Sequence, residues 1–320
     1  TRALSVMGKQ AKGKAMKKLL SDIETDISHG QTLSESLNKH QRVFSPLFVS
    51  MVKAGEESGN VSGSLSIVSS QMEKTYLLAK KVRGAMIYPA VIIVVMIALA
   101  ILLLIFMVPT LTATFEGLGV ELPLPTRILI ASSNFMVENT FLVLTGLALF
   151  VGLSVMFFRS RVGRNIIDVL SLRLPVIGEM VKEFESARSA RTLASLLSAG
   201  VEIIIAIDVT TDVLQNHLYK EALKRARGAV EKGEQMSGVF IEHENLYPRF
   251  VGEMVAVGEE TGKISEMLKG VADYYEEEVD QKTKNLSTII EPVLMIIIGI
   301  GVGIFAISML APTYSLVDYI

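Results

Sequence analysis

The chain has 320 residues, 50% of them apolar and 20% charged, and its formal net charge is −2 at pH 7. This charge argues against a nucleic-acid-binding role for the chain as a whole, and the absence of cysteine excludes disulfides, thiolate metal sites and a cysteine nucleophile. A typical soluble domain has about 25% charged residues. The excess of apolar residues has to be accommodated, and much of it stands in three unbroken blocks.

The first segment, residues 1–86, predicts a helical domain. Residues 11–28 form a charged amphipathic stretch, and Gly30 follows where a helix would stop, because glycine adopts the left-handed conformation at little cost. The sequence Gly-Glu-Glu-Ser-Gly at 55–59 precedes a long helix predicted from about Ser62 into the first apolar block. No run of alternating β-branched residues indicates a sheet.

The three apolar blocks, at 90–108, 140–158 and 293–310, predict transmembrane helices. The first contains no polar residue, and the others contain only scattered Ser and Thr. About 20 apolar residues cross the roughly 30 Å of bilayer hydrocarbon. Only a helix or a closed barrel satisfies the backbone there, so each block predicts one span.

Charged residues beside the blocks predict the orientation. Basic residues stand before the first block, after the second and before the third, whereas the connection 110–139 is mainly acidic. The positive-inside rule therefore places the N-terminus and 159–288 in the cytoplasm, and 110–139 and the C-terminus outside. The basic residues are Lys80, Lys81, Arg83, Arg159, Arg161, Arg164, Lys282 and Lys284.

An internal repeat organises the chain. Residues 51–65 read MVKAGEESGNVSGSL and residues 254–268 read MVAVGEETGKISEML, 203 positions later. The same offset relates Pro89 to Pro292 and Gly30 to Gly233, so each copy ends in a span. A predicted helix at 185–200 opens the second copy. Its counterpart would lie before Thr1, so the first copy is expected to be truncated at its start.

These features predict an all-α fold with two homologous cytoplasmic helical bundles and three transmembrane helices. The predicted segments are the first cytoplasmic domain at 1–86, spans at 87–109, 140–158 and 289–312, an external loop at 110–139, the second cytoplasmic domain at 159–288 and an external tail at 313–320.

The repeated motif Gly-Glu-Glu-Ser/Thr-Gly is the clearest candidate site. One interpretation is a helix–turn–helix corner, with glycines at positive φ, Ser58 or Thr261 capping the next helix, and the acids favouring its N-terminal dipole. The other is a surface for a partner, or an ion site, although two adjacent carboxylates supply too few oxygens to argue strongly for a cation. The candidate partner-contact residues are Gly55, Glu56, Glu57, Gly59, Gly258, Glu259, Glu260 and Gly262.

Other residues are assigned to span starts and helix packing. Pro89 begins the first span, and Glu291 with Pro292 begins the third, where the acid is interpreted as interfacial. Gly299 and Gly303 form a small-xxx-small pair that allows close helix approach. The acidic run from Glu276 to Asp280 is interpreted as a solvated face. The alternative is that the two copies present oppositely charged surfaces to different partners or to each other.

Enzymatic chemistry is not supported, and no cofactor, metal or catalytic residue is predicted. The stretch at 258–263 lacks the glycine spacing, the Ser or Thr after Lys and the preceding strand of a phosphate-binding loop. The four histidines stand apart in separate polar stretches. The apolar blocks contain no ionisable residue, which argues against a secondary transporter.

Together these residues resemble the PilC/GspF family, the polytopic inner-membrane platform proteins of type IV pilus and type II secretion machines. The resemblance covers nearly the whole chain. The residues that carry it are Gly-Glu-Glu-Ser-Gly at 55–59, Gly-Glu-Glu-Thr-Gly at 258–262, Ile87-Tyr88-Pro89, Glu291-Pro292 and the helix from Ala187-Arg188 to Gly200.

The resemblance implies two six-helix cytoplasmic bundles and a scaffold in the bacterial inner membrane without enzymatic activity. It implies coupling of a hexameric cytoplasmic assembly ATPase to the extraction and polymerisation of pilin or pseudopilin. Other inner-membrane assembly proteins, further copies of the chain and membrane lipid are the remaining expected partners, and nucleic acid is not. The alternative is a membrane transport protein with duplicated halves, which would normally repeat several spans per half.

Overall fold

A computed structural model describes residues 2–116, 123–174 and 177–317. The described residues are largely helical and contain no β-strand, and three helices are long and apolar enough to span a membrane, which confirms the predicted fold class. The chain divides into two compact units. Unit 1 comprises Thr1–Ala79 and Asn165–Asp280, and unit 2 comprises Lys80–Arg164 and Gln281–Ile320.

The first copy contributes five helices, and local signals explain their ends. Gly30, at φ 90°, follows the helix Lys14–Ser28, and Thr32 begins the helix Leu33–Asn38 through a capping box with Glu35. Ser45 caps the helix Pro46–Glu57, which has Pro46 in its first turn, where a proline costs no hydrogen bond. The helices are α1 (Arg2–Gln10), α2 (Lys14–Ser28), α3 (Leu33–Asn38), α4 (Pro46–Glu57) and α5 (Val61–Leu102).

The remaining helices follow the repeat. Helices begin at residues 14, 33, 46 and 61 in the first copy and at 217, 236, 249 and 264 in the second, so the offset of 203 holds at each start. The second copy contains six helices. After α5 come a π-helical turn (Leu103–Met107), α6 (Val108–Glu116), α7 (Leu124–Glu138), α8 (Thr140–Arg159), α9 (Arg161–Arg173), α10 (Ile177–Ser198), α11 (Ile203–Val213), α12 (His217–Glu231), α13 (Met236–Glu242), α14 (Arg249–Thr261) and α15 (Ile264–Val317).

The helices of the two copies share one hydrophobic core in unit 1. Leu47, Met51 and Val68 of the first copy belong to the same buried cluster as the second-copy residues Leu193 and Leu196 of α10. A smaller cluster around Ile23, Leu37 and Val52 lies within the first copy. Burial of this kind contributes roughly 1.5–3 kcal/mol for each large aliphatic side chain. The copies are therefore held together largely by apolar contact.

Unit 2 contains the three apolar blocks. Hydrogen bonds from side-chain hydroxyl groups to backbone carbonyls connect its helices. The hydroxyl of Ser133 on α7 donates to the carbonyl of Leu104, 2.5 Å away, in the π-helical turn. The hydroxyl of Thr126 on α7 donates to the carbonyl of Ser308 on α15, also at 2.5 Å. Such bonds satisfy polar groups that lipid cannot. The π-helical turn departs from the regular α-helix that was expected for the first apolar block. The segment 110–139, expected to be a loop, includes α7. The external position of 110–139 stays a prediction.

Candidate functional site

Each copy of the motif forms a tight corner between two helices of unit 1. Gly59 lies between α4 and α5, and Gly262 lies between α14 and α15, at φ 72° and 71°. Glycine reaches this left-handed conformation without the steric cost that a side chain would add. The helix–turn–helix interpretation is therefore correct for both copies.

The first glycine of the motif allows the two helices of a corner to approach closely. A Cβ on Gly55 would lie 2.9 Å from the Cα of Val61 and 2.8 Å from the Cβ of Ser64. A Cβ on Gly258 would lie 2.9 Å from the Cα of Ile264. These contacts are with backbone or with the base of a side chain, which cannot rotate away. Both positions consequently require glycine.

The first acid of each corner binds the N-terminus of a short helix. The carboxylate of Glu56 accepts hydrogen bonds from the backbone N–H groups of Leu33 and Ser34, at 2.6 and 3.0 Å. These amides open α3, where the helix has no carbonyl partners for its own N–H groups. The negative charge also stabilises the positive end of the helix dipole.

The second copy repeats this arrangement. The carboxylate of Glu259 accepts from the backbone N–H groups of Met236 and Ser237, at 2.6 and 3.1 Å, at the start of α13. The sequence interpretation placed the acids at the N-terminus of the following long helix, and that assignment is wrong for Glu56 and Glu259. Each of them instead binds a helix that begins 23 residues earlier in the chain.

The hydroxyl residues of the motif also differ from expectation. The Ser58 hydroxyl donates to the carbonyl of Ala54 at 2.8 Å, and the Thr261 hydroxyl donates to that of Val257 at 2.6 Å. Both therefore bond back to the helix that they end, and neither caps the next one. At the start of α5, Asn60 performs that role by accepting from the N–H of Gly63 at 3.0 Å.

The second acid of each corner points outward. The side chain of Glu57 is 69% exposed and lies 3.9 Å from Lys53, a separation at which an exposed pair contributes little. Glu260 is also exposed. With both oxygens of Glu56 and Glu259 engaged by N–H groups, one carboxylate per corner stays open, which is too few for a Ca²⁺ or Mg²⁺ site. What remains is a single outward charge in each copy.

The corner of the first copy borders a groove of about 480 Å³. Glu57 and Lys53 both line this groove, and the Lys53 ammonium group lies 3.9 Å from the Glu57 carboxylate. The lining combines charged and amide side chains with the aliphatic side chain of Val49. Besides these three residues, its lining includes Thr32, Glu35, Asn38 and Glu56.

A buried arginine ties α10 to α15. The guanidinium of Arg191, only 8% exposed, donates to both oxygens of Glu276 at 2.8 and 2.7 Å and also binds Asp273. Burial alone would raise the pKa of Asp273, but hydrogen bonds from Arg191 and from Lys74 of the first copy hold that pKa below its usual value. Glu276, expected on a solvated face, is instead an internal partner. The sequence offered no distinct signal for this contact, because α10 carries several other charged residues besides Arg191.

A second buried charge lies on the same helix. Glu185 of α10 is 6% exposed, and its Oε2 accepts no hydrogen bond from the described residues. Burial raises the pKa of Glu185 to about 7, partly opposed by the nearby charge of Arg188. Burial likewise raises the pKa of the neighbouring Tyr219 and Tyr247 hydroxyls. This carboxylate is a cost to the folded bundle at neutral pH.

The residues assigned to span starts belong to unit 2. Pro89 is buried within α5, whereas Pro292 and Glu291 are exposed on α15. No heavy atom of the described chain lies within 4 Å of a Cβ built on Gly299 or Gly303. The glycine pair therefore packs against nothing in this part of the chain, and its contact with another helix stays a prediction.

The fold and the paired corners define a class of protein, a helical membrane protein built on a duplicated unit. The family model described as "Type II secretion system (T2SS), protein F" matches residues 1–109 and 189–312, which are the two copies with their spans. The chain belongs to this family, and the resemblance to PilC/GspF proteins is thereby confirmed.

Relatives match almost the whole chain. The type IV pilus assembly protein PilC of Thermus thermophilus is 37% identical over 316 residues, covering 98% of this chain and 77% of that protein. PilC of Pseudomonas aeruginosa is 34% identical over 98% of this chain and 84% of its own length. The type II secretion system protein F of Xanthomonas campestris is 31% identical over 100% of this chain and 78% of its own length.

Proposed function

We propose that the protein is the inner-membrane platform on which pilin or pseudopilin subunits are assembled. In this role it couples a hexameric cytoplasmic ATPase to the extraction of subunits from the bilayer, without enzymatic chemistry of its own. The observation that carries the proposal is the match to PilC and secretion protein F relatives across both copies and all three apolar blocks. Both groups of relatives are named for assembly or secretion.

The duplicated corners are the proposed contact with the assembly machinery. Each copy carries the same outward carboxylate, Glu57 or Glu260, beside a rigid turn held by glycine. A single exposed charge on a rigid element loses little conformational entropy when it meets a basic partner. Two such positions in one chain also allow a multisubunit partner to engage both, which increases overall affinity through effective concentration.

Charge reversal at the outward acids tests this contact. We expect Glu57→Lys with Glu260→Lys to abolish piliation or secretion, and to abolish copurification of the ATPase, while the protein still accumulates in the inner membrane. Glu221→Lys is the matched control, because Glu221 is also an exposed acid of unit 1 but lies on α12, away from the corners. Normal assembly with both outward acids reversed would contradict the proposed contact.

The inner acids must stay unchanged in this experiment. Reversing Glu56 or Glu259 would place a cation against backbone N–H groups and disturb α3 or α13 directly. Loss of assembly in such a variant would report misfolding as readily as a lost contact. Only the outward acids separate the two causes.

The proposed topology has the N-terminus and 159–288 in the cytoplasm and the C-terminus outside. Its support is the distribution of basic residues beside the spans. Because the chain has no cysteine, single cysteines at Glu221 and in the 110–139 connection, for example at Glu138, can be labelled individually. A membrane-impermeant maleimide added to intact spheroplasts should label Glu138→Cys and leave Glu221→Cys unmodified. Labelling of the reverse pair would refute the topology.

A further inference from the structure

Helix α9 presents an aliphatic face to its surroundings. Val162, Ile166 and Leu170 follow one another at four-residue spacing along one side, and they are 65%, 49% and 54% exposed. Ile167 and Val169 widen this side and are 39% and 37% exposed. Contiguous apolar surface of this kind is rarely left open to water, so an occupant is expected.

From Asn165 onward α9 is part of unit 1, and its other side packs on the rest of that unit. The carboxylate of Asp168 accepts a hydrogen bond from the backbone N–H of His217 at 3.1 Å and lies 2.9 Å from its Nδ1. Leu172 packs against the shared core. An ordinary surface helix turns its apolar stripe toward the core and its charges toward water. In α9 the single acid faces inward and most of the aliphatic residues face outward.

The start of α9 follows directly on α8, one of the three helices able to span a membrane. Only Ser160 separates the two helices, in an extended conformation. Its hydroxyl oxygen accepts from the N–H of Gly163 at 3.0 Å, and its hydroxyl donates to the carbonyl of Phe157 at 2.7 Å. A Cβ on Gly163 would collide with that carbonyl. The corner is therefore short and tight, and α9 begins at the level where α8 ends.

Arginines accompany the aliphatic face. Arg159, Arg164 and Arg173 are exposed, and the only acid between 159 and 173 is Asp168, which is held by His217. The outward charge of the segment is therefore positive. A basic amphipathic helix joined to a span matches the lipid interface, where aliphatic side chains enter the acyl boundary and cations meet anionic headgroups.

We propose that α9 lies in the interface of the leaflet at which α8 ends, and that its outward face binds anionic phospholipid. The aliphatic residues occupy the acyl boundary, and the arginines contact the headgroup phosphates. A bilayer accounts for the charge, the apolar face and the continuity with a span at once, whereas a second copy of the chain would bring the same positive charge against itself. The inference depends on α8 crossing the bilayer and not on the machine that the protein serves.

Spin labels on single cysteines test the position of α9 in the full chain. Ile166→Cys and Leu170→Cys report on the outward face, Asn165→Cys on the flank of the same helix, and Glu221→Cys on water. The protein is reconstituted in vesicles of phosphatidylethanolamine with phosphatidylglycerol, and collision rates with oxygen and with a water-soluble nickel chelate are measured. We expect nickel collisions at 166 and 170 to be several-fold rarer than at 165 and 221, with depths of about 5–10 Å.

Two further comparisons separate the lipid interface from other occupants. Replacing phosphatidylglycerol by phosphatidylcholine, or introducing Arg164→Gln with Arg173→Gln, should make the labels at 166 and 170 shallower. Depths that do not respond to either change would overturn the anionic-lipid assignment. Nickel collisions at 166 and 170 as frequent as at 221 would overturn the interfacial position.

Dipolar broadening at 166 or 170 that disappears on dilution with unlabelled protein would also overturn the proposal, because it identifies a second copy as the occupant. Labelling of the same free cysteines by a membrane-impermeant maleimide in native membrane vesicles provides a measurement without the bulk of the spin label. Slow modification at 166 and 170 and fast modification at 165 agree with the proposal, and equal rates contradict it.

Discussion

Removing the inner acid of the second corner should open the start of α13. In Glu259→Gln the amide nitrogen cannot accept a hydrogen bond, so one of the two N–H groups of Met236 and Ser237 is left unpaired and the charge at the helix dipole is lost. A hydrogen bond to a charged group contributes about 1.5–3 kcal/mol, and a helix cap about 0.5–2 kcal/mol. We expect about 2 kcal/mol of local destabilisation.

The equivalent change in the first copy should cost less. The start of α3 has a second device, because the Thr32 hydroxyl accepts from the N–H of Glu35 at 3.2 Å and the Glu35 carboxylate accepts from the N–H of Thr32 at 3.1 Å. At the start of α13, Gln235 provides no side-chain cap. Glu56→Gln should therefore cost about 1 kcal/mol, since a capping box remains. Glu260→Gln should stay within about 0.5 kcal/mol, as for most surface changes.

Hydrogen exchange of the full protein in nanodiscs, followed by mass spectrometry, measures these differences. A loss of 2 kcal/mol corresponds to about 30-fold faster exchange of the opening amides of α13, since about 1.4 kcal/mol is a factor of ten. Peptides from α12 serve as the internal control. Unchanged exchange at α13 in Glu259→Gln, or an equal effect in Glu56→Gln, would refute the capping argument.

Three further changes test the remaining contacts of unit 1 by the same exchange measurement. Gly258→Ala should destabilise the second corner by about 1–3 kcal/mol, because its Cβ would meet the backbone of Ile264, whereas Gly228→Ala, with open space around it, should be neutral or stabilising. Glu185→Gln should stabilise α10 by about 3 kcal/mol above pH 7. Because the pKa of Glu185 is raised from 4.5 to about 7, its contribution to the free energy of unfolding is fully present below pH 4.5 and is lost as the pH rises through about 7, and the variant should lack this slope. Arg191→Met should destabilise the contact between α10 and α15 by about 2 kcal/mol, less than for fully buried pairs because the two carboxylates are partly solvated. If Glu185→Gln showed the same pH dependence of stability as the wild-type protein, or if alanine were tolerated equally at Gly258 and Gly228, these assignments would be contradicted.

The helix ends around the repeated motif were predictable because their signals are local, whereas α7, inside the expected loop 110–139, was not predicted. Gly30 and Gly233 mark helix ends within one turn of the residues they affect, and both have positive φ. Because the two copies share a constant offset of 203 residues, a helix boundary predicted in one copy also predicted the equivalent boundary in the other. Helix and corner positions therefore needed no knowledge of tertiary contacts.

The roles of the polar side chains were not predictable, because their partners lie far along the chain. A glutamate in the last turn of a helix has the same local pattern whether it faces water or, as Glu56 does, another helix start 23 residues earlier. The Ser58 hydroxyl donates to a carbonyl of the helix that it ends. Any serine at a helix end can form this local hydrogen bond instead of capping the next helix. Glu276 belongs to an acidic run, and only the register of α15 against α10 decides that it meets Arg191.

The two copies provide an internal comparison for the outward acid. The glycines and the inner acid of the motif each have a structural task that recurs in both corners. The outward acid recurs without a structural task of this kind. Glu57 has Lys53 one turn earlier, but the equivalent position in the second copy is Ala256. No hydrogen bond or ion pair to the described residues holds Glu260. An intramolecular ion pair therefore cannot explain why the acid appears twice. A contact outside the chain can, and charge reversal at Glu57 and Glu260 is the measurement that decides it.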